Sequence, residues 1–195
     1  MKDQKRVLVI AGPTGVGEST VTKKLIERFP RFSRLVTATT RAPRANEKNS
    51  VDYYFFTEAQ FQDEIKKGNI IEYQNNRDGV YYGSYKPDLE RKLNAGRTII
   101  INPDIVGAKF YKENYNATTI FLLPDSIEHL RERHYTRNPN LDAAELEKRL
   151  AYARREIEDE SGYYDYRVIN MQGKLGETLV EIIDILRKEG YELAD

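Results

Sequence analysis

Val7-Leu8-Val9-Ile10-Ala11-Gly12-Pro13-Thr14-Gly15-Val16-Gly17-Glu18-Ser19-Thr20 is the stretch that decides how the rest of the chain is read. Five apolar residues predict a buried strand, glycines at 12, 15 and 17 a tight turn, and Ser19-Thr20 the start of a helix. Within that helix Val21, Leu25, Ile26 and Phe29 recur at helical spacing until Pro30 stops it. Such a strand–turn–helix aims backbone N–H groups and the positive end of the helix at one point, where an anionic phosphate can sit. The phosphate-loop pattern G-x-x-x-x-G-K-[ST] is met at Gly12, Gly17 and Ser19, but Glu18 stands at the lysine position. Exchanging a lysine for a glutamate moves the local charge by two. Beside a polyphosphate even a screened like-charge contact costs on the order of a few kcal/mol. The expectation is that ATP binding and turnover both suffer.

Working outward, 195 residues suffice for one α/β domain with a small insertion. Lys+Arg and Asp+Glu both number 31, so no net field draws the chain to nucleic acid or to an acidic membrane. Anion binding then has to come from local clusters. The chain has no cysteine and no apolar run of membrane-spanning length, and Met1-Lys2-Asp3-Gln4-Lys5-Arg6 runs directly into the first strand with no signal peptide. A cytoplasmic protein is expected. The 14 tyrosines suit a wet polar pocket and equally suit half-buried surface packing.

Beyond Pro30, Leu35 to Thr40 predicts a strand running into Arg41-Ala42-Pro43-Arg44. Short aromatic pieces follow: a strand at Tyr53 to Phe56, a helix over Glu58 to Lys67 and a strand at Ile70 to Tyr73. A turn at Asn75 to Gly79 leads into Val80 to Ser84. These strands lack long apolar runs, so they predict a small antiparallel insertion with one wet face. The α/β rhythm then resumes with a helix through Ala95-Gly96 and the strand Thr98 to Ile101, which ends in Asn102-Pro103-Asp104. Next come a helix from about Val106 to Glu113, the strand Thr118 to Leu123 and a helix capped by Ser126. Arginines 131, 133 and 137 precede a break at Asn138-Pro139-Asn140, and a charged helix over Ala143 to Glu160 carries Arg149, Arg154 and Arg155. Two arginine-rich arms around one loop would suit a mobile cover over a polyphosphate. The chain closes with the strand Tyr166 to Asn170 and an amphipathic helix over Leu175 to Glu189. Strands alternating with helices imply a central parallel sheet in a three-layer fold, with ligand at the strand C-terminal ends and the first strand near the centre.

Several of these features have plain structural readings. A glycine turn can be a mere connector, and Arg41 with Arg44 can be solvated surface, although two guanidinium forks three residues apart also make a phosphate clamp. Glu72 at a strand end could accept from a base bearing N–H groups or simply face solvent. His129 and His134 have no metal-ligand spacing to a partner and receive no catalytic role.

Taken in order, the near P-loop, Thr39-Thr40-Arg41-Ala42-Pro43-Arg44, Asp52-Tyr53-Tyr54-Phe55, Ile71-Glu72, Tyr82-Gly83-Ser84 and Arg149-Leu150 resemble guanylate kinase over about residues 5 to 190. The resemblance implies a P-loop core (1–36 and 85–195), a GMP-binding insertion (about 37–84) and a helical lid (about 134–150). It implies that Gly12, Pro13, Thr14, Gly15, Val16, Gly17, Ser19 and Thr20 bind ATP phosphates, with Ser19 ligating the Mg2+ that accompanies ATP. Arg41, Arg44, Tyr53 and Tyr82 would hold the GMP phosphate; Thr37, Glu72, Ser84 and Asp104 would surround guanine. Arg133, Arg137 and Arg149 would stabilise the transferring phosphoryl group. Two positions depart from the family pattern, Glu18 for lysine and Asn102 for the first carboxylate of D-I-D, and both fall on the ATP–magnesium side. The implied reaction is ATP + GMP to ADP + GDP, impaired at those two positions. The alternative is a non-catalytic guanylate-kinase-like module that binds GMP or a peptide.

Overall fold

A computed structural model describes residues 5–75 and 79–193. Residues 1–4 of the expected N-terminal run and residues 76–78 of the expected Asn75–Gly79 turn lie outside the described residues.

The chain runs β1 (Val7–Ala11), α1 (Glu18–Arg28), β2 (Phe32–Arg34), β3 (Ala38–Thr39), β4 (Tyr54–Phe55), α2 (Glu58–Lys66), β5 (Ile70–Asn75), β6 (Tyr81–Tyr85) and α3 (Lys86–Asn94). It continues through β7 (Thr98–Ile101), α4 (Ile105–Tyr115), β8 (Thr118–Pro124), α5 (Ile127–Arg137), α6 (Ala143–Arg155), β9 (Tyr166–Asn170) and α7 (Leu175–Lys188). One sheet has the order β2-β7-β1-β8-β9, which puts β1 in the middle as its all-buried Val-Leu-Val-Ile-Ala run requires. Its pairings β1–β8 and β8–β9 are parallel, with Ile10 opposite Ile120 and Leu122 opposite Val168. The second sheet has the order β4-β3-β6-β5.

The chain divides into two compact units, Met1–Arg31 with Ile100–Asp195, and Phe32–Ile99. In the first, α7 packs on β9 and α1, and burial of Ile182, Ile183, Ile185 and Leu186 follows from the strong apolar stripe of that helix. A separate cluster of Leu130, Leu146, Leu150 and Ala153 joins α5 to α6. In the second, Ala38, Phe61 and Ile70 form the core beneath Tyr54, Phe56, Tyr81 and Tyr85.

Three expectations are corrected. Leu35 to Thr40 is not one strand; β2 comes earlier, at Phe32–Arg34, and only Ala38–Thr39 is paired later. The intervening Val36 N–H is taken by the Asp88 carboxylate at 3.0 Å, so a side chain replaces a strand neighbour there. The small sheet is mixed, because β3 pairs parallel with β4 while β3–β6 and β5–β6 are antiparallel. The helix expected to Glu160 is α-helical only to Arg155 and widens to a π turn over Glu156–Glu160. None of the described helices is long and apolar enough to cross a membrane.

Candidate functional site

The turn after β1 is built as an open nest. Val16 N–H donates to the Pro13 carbonyl (2.9 Å), and the residue before α1, Gly17, caps it with φ 109° and supplies no side-chain cap. The first-turn amides of α1 therefore lack a capping side chain and are oriented for an anion. A Cβ on Gly17 would lie 2.5 Å from Asn170 Nδ2, so glycine is required by both backbone and space. That Asn170 amide donates to the Val16 carbonyl at 2.7 Å, and Arg133 Nη1 donates to the same oxygen at 2.8 Å. The loop and Asn170, Arg133, Arg137, Glu18, Ser19 and Thr20 line a pocket of about 540 Å3.

Arg133 also donates from Nη2 to the Asn170 carbonyl at 2.8 Å, so its guanidinium ties the loop to the end of β9 while remaining on the pocket wall. Arg137 lines the pocket from the exposed end of α5. Arg149, exposed on α6, pairs with Glu145 at 3.0 Å. Ser19 and Thr20 are exposed on the first turn of α1, whereas Ala11, Pro13 and Val16 are buried.

Glu18 is partly buried, and burial first, then the neighbouring Glu156, pushes its carboxyl up to about 8, against a lowering contact with the Gly12 backbone. At pH 7 such a group is more protonated than ionised. The charge change relative to lysine is thus nearer one than the two expected from residue type alone. Glu156 itself is pushed up to about 7 by burial and by Glu160 and Asp104. Asn102 is engaged with β1 and α1: Nδ2 donates to the Ile10 carbonyl at 2.8 Å, and Thr22 Oγ1 donates to Oδ1 at 3.2 Å. A carboxylate could not donate to Ile10, so the amide suits this spot. Asp104 caps α4, accepting from Gly107 N–H at 3.0 Å.

In the second unit the strand period of two collects the polar candidates. Tyr54, Tyr81 and Tyr85 point to the core cluster, so their alternates Tyr53, Tyr82 and Ser84 share the opposite face. Thr37 sits two residues before Thr39, which is paired with Tyr82. Ser84, fully buried, donates to Glu72 Oε1 at 2.5 Å and fixes that carboxylate. Arg41 lies over the Tyr53 ring (5.5 Å) and makes a two-pronged pair with Glu47, both contacts 2.9 Å. Glu47 also accepts from Arg44 N–H at 2.8 Å, and the Arg41 pair and that amide hold its carboxyl down at about 2. Arg44 itself is exposed.

Residues 4–189 match the guanylate kinase family model. The chain belongs to the guanylate kinase family. It is 34% identical over 185 residues to "Guanylate kinase" of Synechocystis sp., covering 94% of each chain. It is 36% identical over 191 residues to "Guanylate kinase" of Wolbachia pipientis wMel, covering 97% of this chain and 92% of the relative. Among solved structures, guanylate kinase from Anaplasma phagocytophilum superposes with TM-score 0.74 at 31% identity, covering 98% of this chain and 89% of that one.

Within this guanylate kinase family chain, four contributors have no motif of their own: Asn170, Glu156, Glu47 and His134. Asn170, which bonds the Val16 carbonyl, and Glu156, whose charge acts on Glu18, lie more than a hundred residues from the loop, beyond the reach of any local pattern. Glu47, three residues after Arg44, carries an i,i+3 signal that could have marked it as the partner of the arginine clamp. His134 is buried against the loop, although its sequence context is a helical arginine-rich segment.

Proposed function

We propose that this chain is a guanylate kinase that transfers the γ-phosphoryl group of ATP to GMP, with activity held down by Glu18. The observation that carries this reading is the gathering of Arg41, Tyr53, Glu72, Tyr82 and Ser84 on one face of the small sheet. Arg41, with Arg44, Tyr53 and Tyr82, would bind the GMP phosphate, guanidinium forks matching its oxygens. Glu72, oriented by Ser84, would accept from guanine N1–H and the 2-amino group, which adenine cannot supply. Thr37, on the same unit, would add a hydroxyl to the base pocket; the family resemblance gives Asp104 a guanine-binding role as well.

On the donor side, the amides of Gly15 to Thr20 would hold the ATP phosphates, and Arg137 and Arg149 would neutralise charge as the phosphoryl group moves. Arg133 would act by fixing the Val16 carbonyl. Ser19 offers an exposed hydroxyl on the pocket wall, and no cluster of three His, Cys, Asp or Glu able to hold a metal occurs among the described residues. That set fits a magnesium carried in on nucleotide phosphates rather than one caged by carboxylates. When bound, the ion would neutralise phosphate charge next to Ser19. A cytoplasmic location is consistent with substrates of this kind.

Glu18 favours a second reading, a GMP-binding domain without turnover. An assay of ADP release with magnesium ATP and GMP, run on the natural chain and on Glu18→Lys, separates the two. We expect GMP-dependent release that rises about ten-fold or more in the lysine variant, equivalent to about 1.4 kcal/mol of transition-state stabilisation. Release equal in both would remove Glu18 as the damaging residue. GMP binding by calorimetry with no release in either would establish the non-catalytic reading, and no GMP heat at all would remove both.

A further inference from the structure

His134 is only 4% exposed, and its Nε2 has no hydrogen-bond partner among the described residues. A buried nitrogen left unpaired in a native fold calls for a reason. Its position supplies one. Nε2 is the atom a Cβ on Gly15 would meet first, at 3.2 Å, and Gly15 has φ 92°, so the loop bends closely around the ring. The same residue lines the pocket with Thr14, Gly15, Glu18, Arg133 and Arg137.

The charges facing the ring come from each neighbouring element. Burial comes first, then Arg149 from α6 and Arg137 from its own helix, in holding the imidazole below its ordinary value; the Thr14 backbone acts the other way. Arg133 is engaged with two carbonyls, and Glu18 shares the pocket as a largely neutral acid at pH 7. Burial and two cations therefore oppose protonation of the ring. A polyphosphate in the pocket would offset those cations and remove part of the opposition.

We propose that His134 is a phosphate-responsive positioning residue of the P-loop, which takes up one proton from solvent when a polyphosphate occupies the loop. It thereby supplies from α5 positive charge that residue 18 does not. The nitrogen gains the proton, and no bond of the nucleotide changes. The inference rests on reading this pocket as the ATP phosphate site.

The chain has two histidines, so NMR of the ring carbon-bound protons can follow His134 in the intact protein with His129 as internal reference. Titrated with and without magnesium ATP, and without GMP, the His134 midpoint is expected to rise by about one pH unit or more, a ten-fold gain in proton affinity. Calorimetry at several values from pH 5 to 7 in buffers of different ionisation enthalpy should show net proton uptake on ATP binding. Glu18, raised to about 8, and Glu156, raised to about 7, titrate mostly above the lower part of that range, so uptake there should survive in Glu18→Gln and fall in His134→Gln. ATP binding with an unmoved His134 midpoint would overturn this inference alone, and the measurement needs no substitution. Uptake in His134→Gln equal to that of the natural chain would also overturn it. Absence of ATP binding in the natural chain would overturn both the inference and the site reading beneath it.

Discussion

Replacing Glu18 with glutamine should stabilise the protein at alkaline pH and leave it nearly unchanged at acid pH. Glu18 has its carboxyl raised from a usual value of 4.5 to about 8, mainly by burial and then by Glu156. The sign follows from proton linkage. Below pH 4.5 the group is protonated in folded and unfolded chains alike and costs nothing. Between 4.5 and about 8 the unfolded chain ionises while the folded one retains its proton, so stability falls as pH rises, and the loss is complete above the folded value. At about 1.4 kcal/mol per pH unit the ceiling is roughly 5 kcal/mol. Glu18 is partly exposed and shares its environment with Glu156, so solvent screening brings the expected loss to about 2 kcal/mol. Urea unfolding of the natural chain and Glu18→Gln at several values from pH 5 to 9 measures the gap directly. It should widen steadily toward pH 8 to 9. A gap that stays flat across that range would refute the placement of Glu18 in a low-dielectric site beside Glu156.

Three further outcomes test other parts of the molecule. Gly17→Ala should cost about 1–3 kcal/mol, read as a lowered Tm, because φ 109° and the Asn170 Nδ2 at 2.5 Å both exclude a Cβ. Asp88→Ala should cost about 3 kcal/mol or more by urea unfolding, since this fully buried carboxylate serves Val36 N–H, Lys92 and Arg91. Its partners hold its carboxyl below the usual 3.8 despite burial, so its contribution is present above that value and lost as pH falls through the folded one. Glu72→Gln should weaken GMP binding by about ten-fold or more in calorimetry, because an amide cannot accept equally from both guanine donors; unchanged GMP affinity would remove Glu72 from the base pocket.

Local pattern carried much of the architecture and the family. The apolar run Val7 to Ala11 could only be an interior strand, and glycines at 12, 15 and 17 before Ser19 could form a phosphate nest, because backbone freedom and helix polarity act within a few residues. The Thr39–Arg44, Tyr53, Glu72 and Tyr82–Ser84 pieces were likewise readable, and a strand period of two is enough to set Tyr53, Tyr82 and Ser84 on the face opposite Tyr54, Tyr81 and Tyr85. Strand limits between Phe32 and Thr39 were not readable, since Asp88, 52 residues beyond Val36, captures the amide that a neighbouring strand would have taken.

The residues near the near P-loop divide in the same way. Residue type alone made Glu18 a full negative charge, Asn102 a missing metal-side carboxylate, Arg133 a transition-state cation and His134 inert. Folding gives each a different setting: Glu18 is largely protonated at pH 7 beside Glu156, and Asn102 holds the Ile10 carbonyl. Arg133 spans 117 positions to reach Val16, and His134 lies under Gly15 without a partner for Nε2 among the described residues. Sequence determines which groups are available and which short segments bend or extend. Only tertiary structure sets the dielectric and the distant neighbours around each group, and those decide its charge and its hydrogen bonds.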